Sequence, residues 1–234
     1  MKHMVNAAIE QRPTRTSSIY LLLRNDILDG KLLPGAKLNI RDLSNTYSTG
    51  LSPVREALNR LSAEGLALQA DNRGFKVQPV SVPELVDLTQ ARCWVNEIGV
   101  RESIEKGDTG WEESVILSCH RLKRIPRFLP EEGTTPNPKW AVAHKDFHQS
   151  LISACGSNWM IDTCSRLFDA AERYRNLARG AGISRSDPRD EHQEIMSAAV
   201  DRKTDLVIEL LNSHFQRTAQ LVQTVVGAVE DDTV

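Results

Sequence analysis

Leu51-Ser52-Pro53-Val54-Arg55-Glu56-Ala57-Leu58-Asn59-Arg60-Leu61-Ser62-Ala63-Glu64-Gly65-Leu66 decides the reading of the N-terminal third. Ser52 can accept a hydrogen bond from the free amides of a helix start, and Pro53 suits the first helical position, where an N–H would have no partner. Val54, Leu58 and Leu61 then share one face at helical spacing, while Ser52, Arg55 and Asn59 lie on another. Gly65 supplies the stop, because glycine tolerates the left-handed conformation that ends many helices. The outer face thus carries a cation near the positive end of the helix macrodipole. That arrangement is mildly unfavourable for the helix alone and favourable against a polyanion.

Upstream, Ile19, Leu22, Leu23 and Ile27 recur at helical spacing and Gly30 closes the segment. Leu33-Pro34-Gly35 reads as a turn, and Asn39 with Asp42 as a capping-box-like start to a helix reaching about Tyr47. Ser48-Thr49-Gly50 joins that helix to the next, which makes a helix-turn-helix. Downstream, Leu66–Gln69 and Phe75–Val77 flank the turn Asp71-Asn72-Arg73-Gly74, a two-stranded wing. The expected layout is a loose arm at 1–15, a winged helix-turn-helix at 16–80 and an all-α domain at 81–234.

The second domain reads as helix after helix, six in number. Ser81 and Thr109 are each placed as N-caps, a proline-rich loop spans 126–138, and Asn158 reads as a structural stop after Gly156. The fold class is therefore mainly α, an N-terminal winged helix-turn-helix followed by a six-helix bundle. Ample apolar residues, 40% of 234, suffice for two buried cores. No run is long and apolar enough to span a membrane, and the polar N-terminus lacks the apolar centre of a signal peptide. A cytosolic address is expected, with no membrane partner. Four widely spaced cysteines without a CxxC pair read as buried thiols. Residues 1–80 hold 11 basic against 7 acidic residues and the remainder 18 against 24, a basic front that fits a nucleic-acid reader.

Five of the six histidines fall in the second domain. His144 and His148 are one turn apart on one helix face, a spacing that lets two imidazoles reach one metal ion. His192 and His214 lie on the last two helices, at similar distances from the hairpin near Arg202, which would bring them together. His120 reads as an ordinary surface or core residue.

The N-terminal order, with LLPGAKLNIRDLS, STGLSPVREALNRLSAEGL and DNRGFKV in sequence, resembles the GntR family of bacterial transcription regulators. The helical remainder is similar to that family's FCD ligand-binding domain. The resemblance implies a homodimer that places its second helix in the major groove of palindromic operator DNA. By position it assigns DNA contacts to Arg41, Gly50, Ser52 and Arg55, with Asn72, Arg73 and Gly74 at the wing tip. Leu51 stands where many relatives carry Arg, so a thymine methyl becomes a candidate contact. An ion pair between Arg55 and Glu56 is the plainer alternative for that cation.

FCD domains commonly hold a divalent metal through one Asp and three His. On that pattern His148, His192 and His214 match the histidines, and His144 stands in place of the Asp. Two readings stay open: a four-imidazole site favouring Zn or Ni, or three ligands with an open position. Asp146 is off the shared face. A small carboxylate effector would be gripped by the metal and by Arg92 and either Arg173 or Arg175. A transcription regulator, by family habit a repressor, competes with a metal hydrolase and with a DNA-binding dimer whose bundle is purely structural. Neither a general base beside the histidines nor an HExxH pattern favours the hydrolase.

Overall fold

The computed structural model describes residues 15–70, 74–129, 135–180 and 191–231. Helix α1 (Arg15–Leu28) is followed by strand β1 (Lys37–Leu38), helices α2 (Ile40–Thr46) and α3 (Leu51–Ala63), and strands β2 (Ala67–Ala70) and β3 (Gly74–Val77). Six further helices follow: α4 (Val82–Lys106), α5 (Thr109–Arg124), α6 (Pro138–Ile152), α7 (Asn158–Gly180), α8 (Glu191–Val200) and α9 (Thr204–Asp231). No helix among the described residues is long and apolar enough to cross a membrane.

The helical spacing around Leu58 has the packing consequence it implies. Val54, Ala57, Leu58 and Leu61 are each 0% exposed, packed with Ile19, Leu23 and Ile27 of α1 and with Phe75 and Val77 of the sheet. Each such side chain contributes about 1.5–3 kcal/mol of apolar burial. At the far end, Gly65 has φ +72, its amide donates to the Ser62 carbonyl, and Leu66 donates to Leu61. Those two bonds make a Schellman stop, available because glycine bears no Cβ to clash.

Several helix starts differ from expectation. Gly50, not Ser52, is the N-cap of α3, and it makes no side-chain cap bond; Pro53 therefore sits at the third helical position. Asn39 does cap α2, accepting from the amides of Arg41 and Asp42, and Ser81 caps α4 by accepting from Glu84. Asp108 rather than Thr109 caps α5, its carboxylate taking the Trp111 amide. Asn158 begins α7 instead of stopping a helix, with the Ser157 hydroxyl receiving the Met160 amide. A carboxylate or hydroxyl one residue upstream competes equally well for the same amides, so the spacing alone does not choose between neighbours.

The wing is a three-stranded antiparallel sheet in the order β1-β3-β2, one strand more than the two expected. Lys37 pairs with Lys76 and Leu38 with Phe75, while Ala67 to Ala70 pair with Val77 to Gly74. Beyond it, Val80 enters the bundle and packs in a cluster with Leu85, Tyr174, Val222 and Val226. The larger bundle core joins Trp111, Val115, Phe147, Leu151, Ile195, Val207 and Phe215, drawn from α5, α6, α8 and α9. All four cysteines are buried thiols, with no disulfide among the described residues.

Candidate nucleic-acid face and histidine pocket

Burying the Val54–Leu58–Leu61 stripe turns the opposite side of α3 outward. Ser52, Arg55 and Asn59 are exposed there, as are Gly50 at the cap and Arg41 on α2. The Glu56 carboxylate accepts the Thr16 hydroxyl, 2.9 Å away, and no Arg55–Glu56 pair forms. Arg60, also exposed, lies against the module instead, over the Tyr20 ring at 3.7 Å and beside Glu64 at 3.4 Å. Among the described residues, the side chains of Arg55 and Arg41 have no intramolecular ion pair. Gly74 opens β3 with φ +82, a left-handed turn position that favours glycine. Asn72 and Arg73 lie outside the described residues.

The four histidines converge. His144 and His148 come from α6, His192 from α8 and His214 from α9, and one ring nitrogen of each lies within 4.8 Å of the others. The Nε2 atoms of His144 and His148 are 3.1 Å apart. Helical spacing explains that pair, and the α8–α9 hairpin brings the other two to 4.8 Å between ring centroids. His144, His148 and His214 are buried, while His192 is half-buried. Asp146 is exposed and away from the cluster, as is His120.

Burial holds His144 and His148 well below the ordinary imidazole pKa, and the neighbouring histidines and Arg175 push the same way. Both rings are therefore neutral at physiological pH, the form that ligates a metal. Their Nδ1 atoms are buried and have no hydrogen-bond partner among the described residues. A tetrahedral ion with bonds of about 2 Å needs donors about 3.3 Å apart, a distance reached from here by ring rotation. The cluster could hold a metal.

Residues that spacing did not single out fix these rings. Trp140, one turn before His144, stacks on it at 4.6 Å with an interplanar angle of 16°. The Glu191 carboxylate contacts His214 Nδ1 at 2.8 Å and Arg217 at 2.9 Å, fixing the ring as outer carboxylates fix ligating histidines. The signals were present, Trp140 at i−4 from His144 and Glu191 beside His192, but helical tryptophans and glutamates are too common to select unaided.

Beside the histidines lies a small cavity lined by Arg92, Asn96, His148, Cys164, Phe168 and Phe215. Arg92 is 4% exposed, and its guanidinium sits over the Phe215 ring at 3.9 Å. Among the described residues it has no hydrogen-bonded carboxylate. Burial, reinforced by Arg175, lowers its pKa to about 9. Arg175 reaches the same neighbourhood, 4.5 Å from the Phe168 ring, but is shared with Glu172 at 2.7 Å. Burial alone would raise the Glu172 pKa; Arg175 and Arg179 outweigh it and hold the carboxyl at about 2. Arg173 points elsewhere. It donates to the carbonyls of Gln78 at 3.1 Å and Pro79 at 3.3 Å and pairs with Glu84, so the structure gives it a fastening role outside the pocket.

A winged helix-turn-helix joined to an all-helical domain with a buried histidine cluster defines a two-domain DNA-binding regulator. Residues 15–77 match the bacterial regulatory proteins of the gntR family and residues 87–217 match the FCD domain. The chain belongs to the GntR family of transcription regulators, FCD type. It is 35% identical to the HTH-type transcriptional regulator BphR of Paraburkholderia xenovorans, over 86% of this chain and 82% of that one. It is 32% identical to the HTH-type transcriptional repressor GlaR of Escherichia coli, over 87% and 94%. A putative GntR regulator from Rhodococcus sp. RHA1 shares the fold with a TM-score of 0.71 at 23% identity, covering 89% of this chain and 97% of that one. GntR-family regulators bind DNA and are not enzymes.

Proposed function

We propose that this chain is a homodimeric repressor whose affinity for a palindromic operator is set by a small carboxylate bound at a metal-containing pocket of the helical domain. The boundary between reader and sensor falls near residue 80, and the whole acts in the cytosol. The supporting observation is Arg92: a buried guanidinium with no hydrogen-bonded carboxylate among the described residues, next to four convergent imidazoles. An uncompensated buried charge costs several kcal/mol, which a bound anion would offset.

In this reading His144, His148, His192 and His214 hold the ion, and an all-imidazole set favours Zn or Ni over harder ions. A divalent ion there supplies a Lewis-acidic centre for a carboxylate. Arg92 supplies charge-assisted hydrogen bonds to the same anion, with Arg175 behind it, while Phe168 and Phe215 exclude water. Arg41, Gly50, Ser52 and Arg55 contact the duplex, with Asn72, Arg73 and Gly74 at the wing tip. Arg55 has the reach to grip guanine or phosphate, and Ser52 and the Gly50 amide suit phosphate oxygens.

The test is thermal unfolding of the full chain with a panel of small organic acids, with and without zinc. An effector raises the midpoint progressively, by the equivalent of about 2.7 kcal/mol at a hundred times its dissociation constant. Arg92→Met is expected to keep the zinc shift and lose the acid shift. Absence of any zinc shift together with unchanged stability on chelation would count against the metal site.

A further inference from the structure

The face of α7 toward the pocket carries Phe168, Glu172, Arg175 and Arg179, spaced four, three and four residues apart. Asp169 and Arg173, one position round from Phe168 and Glu172, meet the N-terminal module and its linker. Asp169 is the more informative of the two. Its carboxylate takes both oxygens to Lys145 Nζ, at 2.7 and 2.8 Å, and also receives Arg24 of α1. Lys145 directly follows His144 on α6. Arg24 lies 3.9 Å from Glu64, the C-cap residue of α3, which also accepts the Tyr20 hydroxyl at 2.8 Å and holds Arg60.

One carboxylate therefore joins the helix bearing two of the four imidazoles to Arg24 of α1, which in turn reaches the C-cap of the helix bearing Arg55. The side chains of Arg24, Lys145 and Asp169 are 19%, 25% and 15% exposed, so the junction is largely shielded from water and salt. Any occupant of the histidine cluster replaces the 3.1 Å contact between His144 and His148 with its own bonds to both rings, on the helix that also carries Lys145.

We propose that Asp169 is the junction through which occupancy of the histidine pocket is felt by the recognition helix, by way of Lys145 on one side and Arg24 and Glu64 on the other. This rests on the metal-site reading above. Coupling between sites needs an element that both ends bias, and α7 with its Asp169 contacts is that element. Arg173, bonded to the Gln78 and Pro79 carbonyls, keeps the linker fixed to the same helix, so a shift of α7 is delivered to α1 and not absorbed by the connection.

The experiment is amide hydrogen exchange of the full chain with and without zinc, on the parent protein, Asp169→Asn, and the one-armed variants Arg24→Gln and Lys145→Gln. In the parent, zinc is expected to slow exchange at least threefold in α6, α8 and α9, and to change it at least twofold in α1 and the last turn of α3. Each variant should keep the first response and lose most of the second. Full retention of the α1 and α3 response in Asp169→Asn and in both one-armed variants would overturn the junction, as would its absence from the parent. Should Asp169→Asn fail to fold, the one-armed variants decide. No protection by zinc in α6, α8 and α9 of the parent would overturn the metal reading and the junction together. Protection there with silence in α1 and α3 sinks the junction alone.

Discussion

Arg55 and Arg60 are about one and a half turns apart on the same helix, yet they differ in their partners among the described residues. Arg60 is held by Tyr20 and Glu64; Arg55 projects from α3 with no intramolecular ion pair among the described residues. Arg55→Ala is expected to cost about 1–3 kcal/mol of operator affinity while leaving the unfolding midpoint unchanged, measured on a site selected from random duplexes. Glu172 carries the opposite kind of charge, one whose value is structural. Its carboxyl titrates at about 2 in the fold against 4.5 ordinarily, so its contribution is fully present above pH 4.5 and is lost as pH falls toward 2. That amounts to roughly 3 kcal/mol at neutral pH. Glu172→Gln should lower stability by about 3–5 kcal/mol at pH 7, because Arg175 and Arg179 lose their counter-charge, and should flatten the acid limb of the stability profile.

At the scale of elements, the caps make a paired prediction. Asn39→Ala should cost about 1 kcal/mol in chemical denaturation, whereas Ser52→Ala should cost close to nothing, since only Asn39 makes a cap bond. The helix-turn-helix was legible because its punctuation is local: the Pro34-Gly35 turn, Asn39 and Gly65 each act within a few residues. β1 was not, because two residues show no alternation and their strand character comes from pairing with Lys76 and Phe75, far along the chain. In the pocket, the i,i+4 step of His144 and His148 and the hairpin that pairs His192 with His214 could be read directly, and the resemblance joined the two pairs into one site. Arg173 and Arg175 could not be told apart by type. Two positions on a helix are about 200° apart, so only one of them can face the pocket, and packing chose Arg175.

Viewed whole, the molecule exposes an apolar stripe along α4. Val86, Trp94 and Ile98 run along α4 at 51%, 62% and 52% exposure, spaced eight and four residues so that they form a stripe. Gly99, next to Ile98, lies against Met160 of α7, whose neighbour Trp159 is 80% exposed. Exposed tryptophans beside aliphatic side chains are the make-up of an association surface. For the dimer proposed above, Trp94→Glu combined with Ile98→Glu should give a monomer in sedimentation with an unchanged helical spectrum. If the double variant sediments as the parent does, that stripe is not where two copies meet.

The grip of Arg173 on the Gln78 and Pro79 carbonyls bears on how such regulators can be recombined. A chimaera spliced just before α4 would carry the reader and its tether to a new bundle but leave behind the arginine that moors that tether, along with Glu84 and the Tyr174 hydroxyl that complete the mooring. Such a hybrid would still find its sequence, yet answer poorly to its adopted sensor. Swapping α4 and α7 along with the reader would restore the anchorage.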